Sequence, residues 1–443
     1  MARRARWLAI GLLALTAGVL VYRVTAAPAT PRAEQPSFRY DVEFPVMHYR
    51  DTPRADRVAA LESRLSADEL RLDGSSPRGY LASLLRALDV DVRSQVLVFS
   101  KTSLQAGGID AATPRAIYFN DDTYVAWVQT APDFEVASMD ATLGPVFHTV
   151  GTTPQPAPRF DRQLGRCLQC HDSLTMNGGG VPRFITGSGY TGRSGDLISH
   201  EGWILTSHRT PLRSRWGGWF VTGRPGGEAH LGNLIAKDAV SLDHLDEIRV
   251  GTLASLDGVL DTSPYPVATS DIVALLVLEH QVTVQNALTR AGWDARMALD
   301  RAAGGDATAA APDRIAEMAE PLVEALLLVG EAPLPNRIAG TSGFAEGFTA
   351  RGPRDARGRS LRDLDLERRL FRYPLSYLIY SPAFDALPDV LRRQVYRRLV
   401  SILRDGDPDP RFARLSAEDR TAILAILTET KPEFAASLSP PAP

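Results

Sequence analysis

The chain has 443 residues, 44% of them hydrophobic and 23% charged, an ordinary globular balance that excludes disordered, collagen-like and coiled-coil classes. Lys and Arg total 49 against 52 Asp and Glu, and a net charge of −3 leaves no global pull toward nucleic acid. Two cysteines are too few for a disulfide framework.

Arg3, Arg4 and Arg6 form a basic start, followed by an uncharged, mostly apolar run of 15 residues from Trp7 to Val21. That run is short against the roughly 20 residues of a spanning helix. Val24-Thr25-Ala26 offers a small-residue cleavage site. Residues 1–27 therefore read as a secretory signal peptide or a retained N-terminal membrane anchor. Either way the body is expected in the periplasm, with the arginines left inside. Four prolines in 28–45 read as a linker.

Between 46 and 150 the period changes once. Apolar residues at helical spacing predict helices over Pro53 to Leu72 and Gly79 to Leu88. Alternation then predicts strands at 95–99, 116–119, 123–128, 134–139 and 146–150, with Asn120-Asp121-Asp122 as a hairpin turn. Residues 166–240 are rich in Gly, Arg, His and Trp and read as loop-dominated. Asp271 to Arg296 is the strongest helix, and Ala302 to Ala311 a small-residue linker. The segment 313–436 is a helical C-terminal region, with helices from Arg314 to Leu328, Leu375 to Tyr380, Leu391 to Leu403 and Ala417 to Leu427. The fold class expected is mostly α with a small antiparallel sheet, the chemistry lying in 151–300.

Both cysteines lie in Cys167-Leu168-Gln169-Cys170-His171. C-x-x-C-H is the pattern of c-type haem attachment. Two thiols on one helical turn can each add across a haem vinyl group, and the next histidine can put an imidazole nitrogen on the iron. A thioredoxin-like dithiol would follow a buried strand, and residues 159–166 contain no such apolar run. A zinc site would need a second ligand pair, and no cysteine is left to supply it. Export agrees with haem, since covalent attachment is made on the outer side of the bacterial inner membrane.

The pentad, with Gly178-Gly179-Gly180-Val181-Pro182 after it, resembles the bacterial monohaem c-type cytochromes over about 15 residues. The resemblance implies a cytochrome c-type haem-binding region embedded in a larger multi-domain chain. It implies one covalent haem c on Cys167 and Cys170, iron ligated by His171, and electron transfer with a redox partner protein in the periplasm. Segments 99–105, 215–219 and 377–381 also look like those of larger uncharacterised proteins carrying one haem motif.

The sixth iron position decides the chemistry: Met or His suits electron transfer, an open site suits catalysis. Met176 is too close to His171 to cross the haem plane, and the next methionines are Met297 and Met318. His280 lies on an apolar stripe with Val273, Leu276, Val277, Val284 and Leu288, with Glu279, Asn286 and Arg290 to one side. It is a candidate distal ligand or a core histidine; His200, His208 and His230 are further candidates. Arg209, Arg213, Arg215 and Arg224 cluster with Trp203, Trp216 and Trp219, as haem-propionate partners or as a solvated loop. The functional expectation is a periplasmic electron-transfer cytochrome. A haem-dependent oxidoreductase with a pocket formed by the non-haem regions is the alternative.

Overall fold

Short β-branched and aromatic runs build a seven-stranded antiparallel sheet in the computed structural model, which describes residues 46–236, 252–334 and 336–438. The signal or anchor at 1–27 and the linker at 28–45 lie outside the described residues. No helix among the described residues is long and apolar enough to cross a membrane.

Two helices lead the sheet. α1 is Arg57–Ser66, its first turn closed by Asp56, which accepts from the Ala59 amide at 2.7 Å. α2 is Pro77–Ala87, capped by Ser76, with Pro77 at the position where a missing amide hydrogen costs nothing. The strands are β1 Val96–Val98, β2 Arg115–Phe119, β3 Thr123–Trp127, β4 Asp133–Asp140, β5 Gly144–Gly151 and β6 Asp161–Arg162. Asn120 turns the β2–β3 hairpin, its side-chain oxygen accepting from the amides of Asp122 and Thr123 at 3.1 and 2.8 Å. One strand comes from the segment expected to be loop: β7, Trp219–Phe220, pairs with β1 through Leu97↔Phe220. The sheet order is thus β7-β1-β2-β3-β4-β5-β6.

Period-2 alternation gives the sheet two apolar faces. Tyr118, Phe134, Val136 and Val150 pack with Leu61, Leu81, Leu84 and Leu85 of α1 and α2 in one core. The opposite face meets α4, Ile272–Ala303, the longest helix described. Asp271 starts α4 by accepting from the Val273 amide at 2.8 Å and ties in a distant loop by accepting from Thr341 at 2.7 Å. On the sheet side, Tyr124 donates to Gln285 at 2.5 Å and Gln281 donates to Tyr124 at 2.7 Å. The haem-motif helix α3, Gly165–His171, follows β6 at the sheet edge. The C-terminal region adds α5 Pro312–Leu326, α6 Asp389–Val400 and α7 Ala417–Thr430. Residues 377–380, expected as α-helix, form a single 3-10 turn capped by Ser376.

Helix therefore outweighs strand, and the main sheet is antiparallel, as the periodicities require, with two two-stranded pairings beside it at Gly187–Gly189 with Trp203–Leu205 and at Thr191–Gly192 with Ile235–Ala236. The helical region also holds a buried acid. Glu331 accepts from the Leu370 amide at 2.8 Å, and burial pushes its carboxyl up to about 7. A carboxyl raised above its unfolded value of about 4.5 loses stability as pH rises from there to about 7. Glu331→Gln, which keeps the acceptor without the charge, should therefore stabilise the protein by about 3 kcal/mol above pH 7 and by nothing below pH 4.5. Denaturant titrations at the two extremes check this; an equal effect at both would refute it.

Candidate haem-attachment site

α3 is anchored at both ends. Arg162 of β6, just ahead of it, donates to the Arg50 carbonyl at 3.0 Å and holds the sheet edge through His148↔Arg162 pairing. Inside α3, Leu168 is buried, Cys167 is half-buried and Cys170 is exposed, as a helix with one face on the protein requires. Two thiols one turn apart thus lie at the surface of a helix fixed to the sheet.

The histidine of the motif is held in one tautomer. His171 Nδ1 lies 2.7 Å from the Arg183 carbonyl, and the Arg183 amide donates back to the His171 carbonyl at 2.9 Å. A carbonyl can only accept, so Nδ1 carries the hydrogen and Nε2 keeps its lone pair. Burial lowers the ring to about 4, opposed by the Arg183 bond, so the imidazole is neutral at physiological pH. Its face packs on Phe147 of β5, with ring centroids 4.3 Å apart. A neutral imidazole with one nitrogen pinned to a backbone carbonyl is the state in which the other nitrogen binds a metal.

The Cys167 thiol is pushed up to about 12 by burial, with Glu135 adding to the rise. A redox-active dithiol needs the opposite shift. Among the described residues, no group of three or more His, Cys, Asp and Glu side chains is placed to hold a metal ion.

Beyond α3 the chain makes a short helical turn, Leu174–Asn177, and then Gly178, Gly179 and Gly180 at φ of +79°, +53° and +77°. Only glycine takes three such values in a row without strain. A Cβ at Gly179 would also sit 2.7 Å from the Leu174 side chain. The chain then runs along α4, where Asn286 accepts from the Phe184 amide and donates to its carbonyl, both at 2.9 Å. Between this segment, Leu205-Thr206-Ser207 and α4 lies a cavity of about 310 Å³, with Phe184, Leu205, Val282 and Ala287 as apolar wall and Arg183 and Arg290 among its polar groups. Leu174, Met176, Ile204 and Leu205 expose 71, 37, 45 and 42% of their surface, more than the core side chains of the same protein by an order of magnitude. A flat apolar ring system is what such side chains would cover. The two thiols and the fixed histidine tautomer suit covalent haem attachment, while neither cysteine nor His171 is among the residues that line the cavity.

The other expected residues lie elsewhere. His280 is fully buried on α4, its Nε2 2.8 Å from Ser376 Oγ and its Nδ1 3.4 Å from His208 Nδ1, with Phe371 edge-on at 5.0 Å. The cavity is lined by the later turns of that helix and not by His280. His230 is buried against Trp216, and His200 is exposed beside Glu201. His280→Ala should cost about 1–3 kcal/mol through its lost buried hydrogen bonds and leave the visible spectrum unchanged. Urea unfolding and an absorption spectrum of the variant check both halves; a changed Soret band would return His280 to the iron.

The arginine–tryptophan cluster has a structural role at its centre. Arg215 is buried and donates to Glu279 at 2.9 Å and to the His208 carbonyl at 3.0 Å. Arg209 donates to the Val329 carbonyl at 2.8 Å, while Arg213 and Arg224 are exposed. Trp216 is fully buried and Trp219 donates to the Gly187 carbonyl at 2.8 Å. Residues that sequence reasoning missed are Phe147, Arg183 and Asn286. Asn286 and Arg290 had a visible signal: Thr283, Asn286 and Arg290 form a polar stripe on an otherwise buried helix, and this stripe lines the cavity. Comparison with protein-family models, curated proteins and solved structures finds no match.

Proposed function

We propose that this chain is a c-type haem protein, one haem joined to Cys167 and Cys170, with its iron held by His171 Nε2. The observation that carries the reading is the His171 Nδ1–H bond to the Arg183 carbonyl, which leaves Nε2 as the free lone pair. The haem supplies reversible one-electron chemistry. The chain's own residues fix the imidazole and hold the attachment helix to the sheet. The reading is an electron-transfer protein of the periplasm, tethered or released at its N-terminus, that exchanges electrons with a partner protein.

A haem-dependent oxidoreductase is the second reading. It is favoured by one observation: among the described residues, the cavity lining contains no histidine or methionine to take a sixth position. A reduced-minus-oxidised spectrum with and without carbon monoxide tests both. A c-type α-band unmoved by carbon monoxide supports electron transfer, a shifted Soret band supports the oxidoreductase, and no reducible haem refutes both.

A further inference from the structure

Val282, Thr283, Asn286, Ala287 and Arg290 fall on one stripe of α4 and line the cavity of about 310 Å³. The polar groups of that stripe are engaged within the protein. Thr283 returns its hydroxyl to the Glu279 carbonyl at 2.7 Å, and Asn286 gives both ends of its amide to the main chain of Phe184 at 2.9 Å. The charges at the cavity are answered as well. Asp172 and Asp294 both act on the Arg183 guanidinium, and Asp294 lies 3.5 Å from that of Arg290, which also donates to the Gly179 carbonyl. Two guanidiniums met by two carboxylates leave no net charge for a ligand to match. Between them Phe184, Ile185, Leu205, Val282 and Ala287 make an apolar wall. An apolar cavity of roughly 150 Å³ holds a benzene ring. One of about 310 Å³ has room for one or two rings.

We propose that this cavity is a binding site for a small, neutral, largely apolar molecule of one or two rings, and that its occupancy is transmitted to His171. The site itself stands apart from the haem; its report at the iron rests on the haem reading above. Arg183 lines the cavity and holds the imidazole with its main chain, accepting from Nδ1 at 2.7 Å and donating to the His171 carbonyl at 2.9 Å. Phe184 also lines the cavity, and its ring lies 6.1 Å from Phe147, on which His171 packs at 4.3 Å. A ligand that presses on residues 183 and 184 therefore reaches the imidazole by hydrogen bond and by packing. The bond on Nδ1 sets how strongly Nε2 donates to a metal, so a change in it is read at the metal.

The test uses the full-length holoprotein with indole and benzyl alcohol as neutral probes, and benzoate and benzylamine as charged controls of similar size. Calorimetric titration should give one saturable site for a neutral probe and weaker binding of both controls. The Soret band should shift with the same half-saturation point. Ala287→Phe fills the cavity and should weaken neutral-probe binding about ten-fold or more. Leu205→Ala, at a position 42% exposed in the parent, removes part of the wall without crowding and should weaken it several-fold. No saturable binding of either neutral probe, or binding unchanged in both variants, overturns the site. Benzoate binding as tightly as benzyl alcohol overturns the neutral class. Saturable binding with an unmoved Soret band overturns the link to His171 and leaves the haem reading standing. A parent protein without haem overturns that reading and the link together, while calorimetry on it still decides the site.

Discussion

Cys167→Ala combined with Cys170→Ala should abolish haem staining on a denaturing gel. The chain has two cysteines, both in one turn of α3, so no other thiol can form a thioether. Each single substitution should leave one thioether and a weaker stained band, because half-buried Cys167 and exposed Cys170 present two separate attachment points. His171→Ala should retain stain but shift the Soret and α bands of the parent, since the attachment bonds survive and the proximal nitrogen does not. Full stain in the double variant would mean that the haem is held by some bond other than a thioether to these cysteines.

The second large effect lies in the core. Arg215 and Glu279 are exposed by only 2 and 3% at their side chains and pair at 2.9 Å. Glu279 is pushed up by burial and held down by Arg215, and Arg215 further donates to the carbonyls of Thr210 and His208. Glu279→Leu leaves a guanidinium buried without its counter-charge, so about 3–5 kcal/mol should be lost. Adding Arg215→Met should recover most of that loss, since a neutral, well-filled pair removes the desolvation cost of both charges. Midpoints of urea unfolding at constant slope measure both variants. A double variant no more stable than Glu279→Leu alone would show that the charges hold the His208 and Thr206 segments in place and do more than cancel each other.

What was legible in the sequence is what local periodicity carries. The α1, α2 and α4 stripes, the alternation of β2 to β5 and the Asn120 turn all follow from residues within one element. The C-x-x-C-H pentad is equally local. The inward orientation of His280 followed from its helical stripe, yet its partner Ser376 lies 96 residues away and left no local trace. The same is true of Arg215, which sits in a run that reads as solvated loop until Glu279 is brought to it from 64 residues along the chain. β7 is two residues long and flanked by Gly217, Gly218 and Val221, too short for any alternation to register, and only its pairing with β1 makes it a strand. Residues 375–380 carry helical spacing, but Pro374 and Pro382 bracket them and leave room for one turn. Arg183 was invisible for a similar reason. Its contribution to His171 is a backbone carbonyl, which no side-chain pattern encodes.

The most direct measurement is the intact mass of the full chain under denaturing conditions, after expression with haem-attachment machinery. The account predicts the mass of the polypeptide plus one haem, with the addition on the peptide that contains Cys167 and Cys170. The polypeptide mass alone, or a disulfide between those two cysteines, would contradict it.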